Sequence, residues 1–260
     1  MINMDSEDEG VATVSCAGGL RVQFTKEIQR TTVQGSLLTL KVEGLLGGHS
    51  GQDIDKERQN ADLLMARMIQ RLLKETKGQL VSFNGGTKDN AIPRECEASL
   101  IYESDEEAAK AEELACELAE TYAEELTPAE PDFSCEISCE TNRTAEAIPQ
   151  DAAKEFICAM RLAPNGIQKR NIKMDGFVVV SLNLGVVRTE EDRIVMIFSP
   201  RSSVASLQED TKERLNTLAE TFGFTVSHSS EYPGWSFKED SPVREICKES
   251  LSLIHISEPT

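Results

Sequence analysis

His49 sits in the string GLLGGHSGQDIDKERQNADLL, with Gly47, Gly48 and Gly51 around it and an amphipathic stretch just behind. Only three histidines occur in the chain, at 49, 228 and 255. An imidazole can accept or donate a proton near neutral pH. Glycines let the backbone turn tightly and keep bulk away from a bound molecule. The pattern alone leaves two readings open: a chemical group, or an exposed histidine in a helix-entry turn. Two other strings carry groups of similar use. KDNAIPRE offers Asn90 in a turn-rich loop, where asparagine is also favoured for its conformation alone. SPRSS offers Arg201, whose planar fork pairs with carboxylates but which serves equally as a capping or surface cation. Asp5, in the acidic opening MINMDSEDEG, reads by itself as a solvated surface charge.

The elements that must position these groups follow from periodicity. LLTLKVEGLLGG predicts a strand running into a glycine turn. Ala61, Leu64, Met65, Met68, Ile69 and Leu72 then recur at helical spacing, with Asp55 as the expected N-cap and Gly78 as the stop. QLVSFNGG and CEASLIYE predict paired strands. Ser104 and Glu107 fit a capping box for a second helix, with Ala111, Leu114, Ala115, Leu118 and Tyr122 as its apolar stripe. DFSCEISCE predicts a strand with Cys135 and Cys139 on one face. The same order of elements then recurs: a helix over 151–162, the strands GFVVVSLNLGVV and RIVMIFSP, a helix opening on a Ser206/Glu209 capping box and stopping at Gly223, and the strand FTVSHSSEY. The expectation is an α+β fold of two α/β units forming one mixed sheet with helices on one face.

Composition narrows the function classes. The chain has 260 residues, 39% hydrophobic and 28% charged, as expected of a globular protein. Asp and Glu number 45 against 27 Lys and Arg, a formal charge of −18 that repels phosphate backbones and argues against nucleic-acid binding. No apolar run approaches the roughly 18 residues needed to span a bilayer, so no membrane partner is expected. Seven cysteines without a C-x-x-C pair point to free thiols in a reducing, cytoplasmic setting. The start reads like the interior of a longer protein. The last ten residues, LSLIHISEPT, read as a foreign, adapter-like tail, and His255 goes with them.

Taken together, GLLGGHSGQDIDKERQNADLL, NGGTKDNAIPRE, DGFVVVSLNLG, SPRSSVASL, EYPGWSF and the opening INMDSEDEGVATVSCAGG resemble the aminoacyl-histidine (β-Ala-His, carnosine-type) dipeptidases of the M20 metallopeptidase family. That resemblance implies a catalytic zinc domain split by an inserted lid, or dimerisation, domain. Residues 1–20 would end the first catalytic half, 21–232 would be the lid, 233–250 would open the second half, and 251–260 would be foreign. It implies dipeptide hydrolysis at a pair of zinc ions, with Asp5 as one zinc ligand and the other ligands outside this chain, so that residues 1–260 alone would be inactive. It implies that His49 steadies the oxyanion of the tetrahedral intermediate, that Asn90 binds substrate polar groups beside it, and that Arg201 grips the substrate carboxylate. It also allows a homodimer through the lid. The alternatives are a catalytically silent α/β interaction module and another M20 activity such as deacylation.

Overall fold

The computed structural model describes residues 15–172, 177–235, 240–243, 245–247 and 249–250. Asp5, and the tail with His255, lie outside the described residues. The elements run β1 (Gly18–Glu27), β2 (Thr31–Glu43), β3 (Gly48–His49), α1 (Ala61–Glu75), β4 (Gln79–Gly85), β5 (Ala91–Ile92), β6 (Cys96–Tyr102), α2 (Asp105–Leu126), β7 (Ser134–Ala147), α3 (Gln150–Leu162), β8 (Gly166–Arg170), β9 (Val178–Thr189), β10 (Arg193–Ser202), α4 (Ala205–Thr221) and β11 (Thr225–Tyr232).

The main sheet is nine-stranded, ordered β11-β1-β10-β9-β4-β6-β2-β7, with β8 added on β9. All described pairings are antiparallel, where a mixed sheet was expected. The reason is that each helix crossover skips a strand. α1 carries the chain from β2 to β4, and β6 inserts between them, so strands of like direction never become neighbours. The helices form one layer: α2 packs on β7, β2 and β6, α1 on β6 and β4, α3 on β4 between α1 and α4, and α4 on β10, β1 and β11.

The two units do not follow one another. β2, β4, β6 and β7 form one unit in the order β7-β2-β6-β4. β1, β9, β10 and β11 form the other in the equivalent order β11-β1-β10-β9. The first unit is therefore nested inside the second, between β1 and α3. β1 was not foreseen as a strand of the sheet, and the expected boundary at residue 20 falls inside it. Gly18 and Gly19 already pair with Ser202 and Arg201 of β10.

The stripes read from periodicity are the buried ones. Leu64, Met65, Met68, Ile69 and Leu72 of α1 and Ala153, Phe156, Ile157 and Met160 of α3 all enter the core. Phe83 of β4 meets Phe156 edge-on at 5.4 Å, and Phe24 of β1 meets Phe198 of β10 at 4.8 Å. The caps differ more. Asn60, not Asp55, caps α1, accepting from the N–H groups of Asp62 and Leu63, while Asp55 lies in a separate 3-10 turn, Ile54–Lys56. Ser104 does cap α2, but the Glu107 carboxylate turns away to accept from the Lys77 N–H at 3.1 Å, so only half of the box forms. Ser206 lies inside α4. The chain turns into that helix earlier, at Val204, whose N–H is taken by the Ser202 hydroxyl at 3.1 Å.

Arg30, in the β1–β2 connection, ties the two units together. Its guanidinium donates to the carbonyls of Val81, Glu146, Glu190 and Glu191, at the ends of β4, β7 and the β9–β10 hairpin. Replacing it by Ala leaves the partly buried Val81 carbonyl without its donor, while the carbonyls of Glu146, Glu190 and Glu191 are exposed and turn to water. Arg30→Ala is expected to lower stability by about 1–2 kcal/mol in a urea titration, because most of its acceptors regain water when the charged donor is lost. A loss under half a kilocalorie would show that water replaces the guanidinium freely.

Candidate functional site

His49 forms the whole side-chain content of a two-residue strand. β3 pairs with β5 so that Gly48 faces Ile92 and His49 faces Ala91, and the Ser50 N–H donates to the Asn90 carbonyl at 2.9 Å. The GGHSG turn and the NAIP loop are thus held side by side. Two backbone donors, Gly51 N–H at 3.2 Å and Gln52 N–H at 3.1 Å, point at His49 Nδ1. With Nδ1 engaged as an acceptor, the ring proton sits on Nε2, which becomes an outward N–H donor. The turn is closed by Asp53, whose carboxylate accepts from His49 N–H at 2.8 Å and binds Lys56 Nζ at 2.6 Å. The Lys56 ammonium first, and the His49 N–H second, hold the Asp53 carboxyl below the usual carboxylate range.

Arg201 enters from β10. A Cβ placed on Gly51 would stand 3.0 Å from His49 Cε1 and 3.4 Å from Arg201 Cζ. The imidazole and the guanidinium therefore both lie against Gly51, within contact distance of where a side chain would begin. Arg201 Nη1 donates to the Tyr232 hydroxyl at 2.8 Å, while its Nε is buried without a hydrogen-bond partner among the described residues. Tyr232 reaches Arg201 by crossing Gly19, the residue that pairs with both. A Cβ on Gly19 would meet the Tyr232 hydroxyl at 2.7 Å.

Asn90 is exposed, in the turn closed by Ala91 N–H to Lys88 carbonyl at 3.2 Å. That turn rests on β9. Asn183 Nδ2 donates to the carbonyls of Asp89 and Ala91, and Asp89 lies over Gly185. Arg21 of β1 stands 3.7 Å from the Asp89 carboxylate. A cavity of about 340 Å³ borders β3 and β5, lined in part by Leu46, Thr87 and Arg94, and neither His49 nor Arg201 lines it.

The structure thus brings His49 and Arg201 together against Gly51 and sets the backbone of Asn90 beside the His49 turn. Asp5 lies outside the described residues, and among those residues no three His, Cys, Asp or Glu side chains are placed to hold a metal ion. His228 lies on the surface, its Nε2 3.0 Å from Asn216 Oδ1. Tyr232, Asn183 and Arg21 were missed as site residues. Two of them lie in strings already singled out, EYPGWSF and SLNLG, but nothing local ties them to Arg201 or to the Asn90 turn.

Residues 40–130 match the profile of the peptidase dimerisation domain, M20_dimer, which covers most of the nested unit. The whole chain is 30% identical to the cytosol non-specific dipeptidase of Escherichia coli (strain K12), over 53% of that protein. A crystal structure of aminoacylhistidine dipeptidase from Vibrio alginolyticus superposes with a TM-score of 0.87 at 33% identity, covering 93% of this chain and 49% of that one. The chain spans about half the length of the relatives it matches.

Proposed function

We propose, on the premise that this chain carries an M20-type peptidase dimerisation domain, that it is the lid of a cytosolic dipeptidase acting on Xaa-His dipeptides such as β-alanyl-histidine. In this reading the lid spans 21–232 and its flanks, 1–20 and 233–250, join it to a catalytic domain. The observation that supports the reading is the juxtaposition of His49, its Nδ1 engaged by two backbone N–H groups, with Arg201, both lying against Gly51.

The division of labour follows from the donor set. Arg201 binds the substrate carboxylate through the exposed end of its guanidinium, while the Tyr232 hydroxyl holds Nη1 in place. His49 Nε2–H donates to the oxygen that gains charge as the peptide carbonyl becomes tetrahedral. Asn90, beside His49, contributes a further polar contact to the same substrate. Zinc ions, which the reading requires, supply a hydroxide at neutral pH. The described residues do not form that zinc site, and Asp5 is retained as a ligand only within this proposal.

Arg201→Lys in the complete enzyme tests the clamp. A point charge replaces a two-pronged donor. KM for dipeptides with a free carboxylate is expected to rise about tenfold or more, and KM for the amidated analogues to change little. Equal effects on both substrate sets would remove Arg201 from the carboxylate site. The match over residues 40–130 also favours a homodimer formed through this domain. Sedimentation of residues 1–260 would reveal it, and a strictly monomeric species at high concentration would count against it.

A further inference from the structure

We infer that Glu130 is a positioning residue: its buried carboxylate clips together both ends of the 46–59 loop and so sets where His49 points. The inference rests on the role proposed for His49. Glu130 lies in the α2–β7 turn, remote in sequence from the loop, and is 2% exposed. One oxygen accepts from the Leu46 N–H at 2.7 Å, and the other from the Gln59 N–H at 2.9 Å. Leu46 opens the GGHSG turn, and Gln59 directly precedes Asn60, the cap of α1. A single carboxylate therefore closes the base of the loop with two charge-assisted bonds.

The clip is itself seated. Glu130 N–H bonds to the Leu126 carbonyl at 2.9 Å, and Phe133 N–H returns to the Glu130 carbonyl at 3.2 Å. A Cβ on Gly44 would fall 1.8 Å from the Asp132 carbonyl oxygen, so the turn lies directly on the exit of β2. Inside the loop, Arg94 holds the Leu45 carbonyl, Arg58 holds the Gly47 carbonyl and Asp53 holds the His49 N–H. These braces fix the loop's shape. Glu130 fixes its placement against the nested unit. A glutamine can accept from only one of the two N–H groups, because its amide NH2 would face the other donor with a donor.

Glu130→Gln in residues 1–260 is expected to speed amide exchange at Leu46 and Gln59 by about tenfold or more, with the α3 and β10 amides unchanged. Nitrogen NMR of the His49 ring should show the Nε2–H tautomer giving way to a mixture. In the complete enzyme, kcat should fall about tenfold with KM within about twofold, because sub-ångström misplacement of a catalytic group lowers rate more than binding. Added to His49→Ala, the same change should cost nothing further. Glu130→Asp, which keeps the charge but is too short to reach both ends, should fall between wild type and Gln, and it serves if the Gln variant does not fold. Unaltered exchange at Leu46 and Gln59 would overturn the clip. A kcat loss as large in the His49→Ala background as in wild type would overturn its action through His49. If His49→Ala alone left kcat unchanged, the proposed function would fail instead, and the exchange data would still decide the clip.

Discussion

Asp62→Asn is expected to raise stability at pH 7–8 by about 1–3 kcal/mol and to flatten its dependence on pH. Asp62 follows the cap of α1 and is fully buried. Gly85 of β4 covers it so closely that a Cβ there would stand 1.7 Å from Asp62 Oδ1. Neither carboxylate oxygen meets a hydrogen bond of full geometry among the described residues. Burial pushes the carboxyl up to about 8, and the adjacent Cys96 thiol and the charge of Arg188 oppose the shift without cancelling it. The folded protein therefore keeps a proton that the unfolded chain releases near 3.8. Between those two values the native state binds more protons, so stability falls as pH rises. The loss is nil below about 4 and complete above about 8. At pH 7 it is on the order of 4 kcal/mol. Asparagine removes the titration but keeps an imperfectly paired amide in the same place, which is why the net gain is smaller. Thermal midpoints from pH 4 to 8 test this directly. Curves for wild type and variant that run parallel would show that Asp62 ionises in the folded state as it does in water.

The second large effect concerns His49. His49→Ala in the complete enzyme is expected to lower kcat by about 10²- to 10³-fold, the usual consequence of losing one oxyanion donor. KM should move much less, because the donated bond strengthens only as charge develops. Gly51→Ala should lower kcat by a smaller factor, about two- to tenfold, without removing either functional group. Its methyl would stand 3.0 Å from the imidazole, which must give by a fraction of an ångström, and in ordinary contact with the guanidinium at 3.4 Å. Steady-state kinetics with β-alanyl-histidine would measure both. Wild-type kcat in His49→Ala would end the oxyanion role. Wild-type kcat in Gly51→Ala would show that the imidazole gives way to the methyl without leaving its working position.

How far the sequence led depended on the range of the interaction being read. The stripes of α1 and α3 were legible because helical spacing is a local property and the residues at that spacing are the buried ones. Caps were legible only in part. Ser104 was found, but Asp55 and Ser206 were not caps, because where the chain enters a helix is set by its preceding contacts, such as Ser202 on Val204. β1 alternates Leu20, Val22 and Phe24 inward, yet its partners β10 and β11 come at the far end of the chain. The recurring order of elements was visible, but nesting and succession produce nearly the same string of helices and strands.

By itself, the sequence determined the four helices and most of the long strands, the apolar faces that make the core, the acidic surface and the glycine-framed histidine as a group worth testing. These depend on neighbours along the chain and on composition. Only the tertiary structure decided that one unit is nested in the other, that Tyr232 crosses Gly19 to meet Arg201, and that Glu130 reaches two amides of the His49 loop. Strand register and loop placement are cooperative outcomes of packing distant segments. A residue's type leaves open which remote backbone group its side chain will meet.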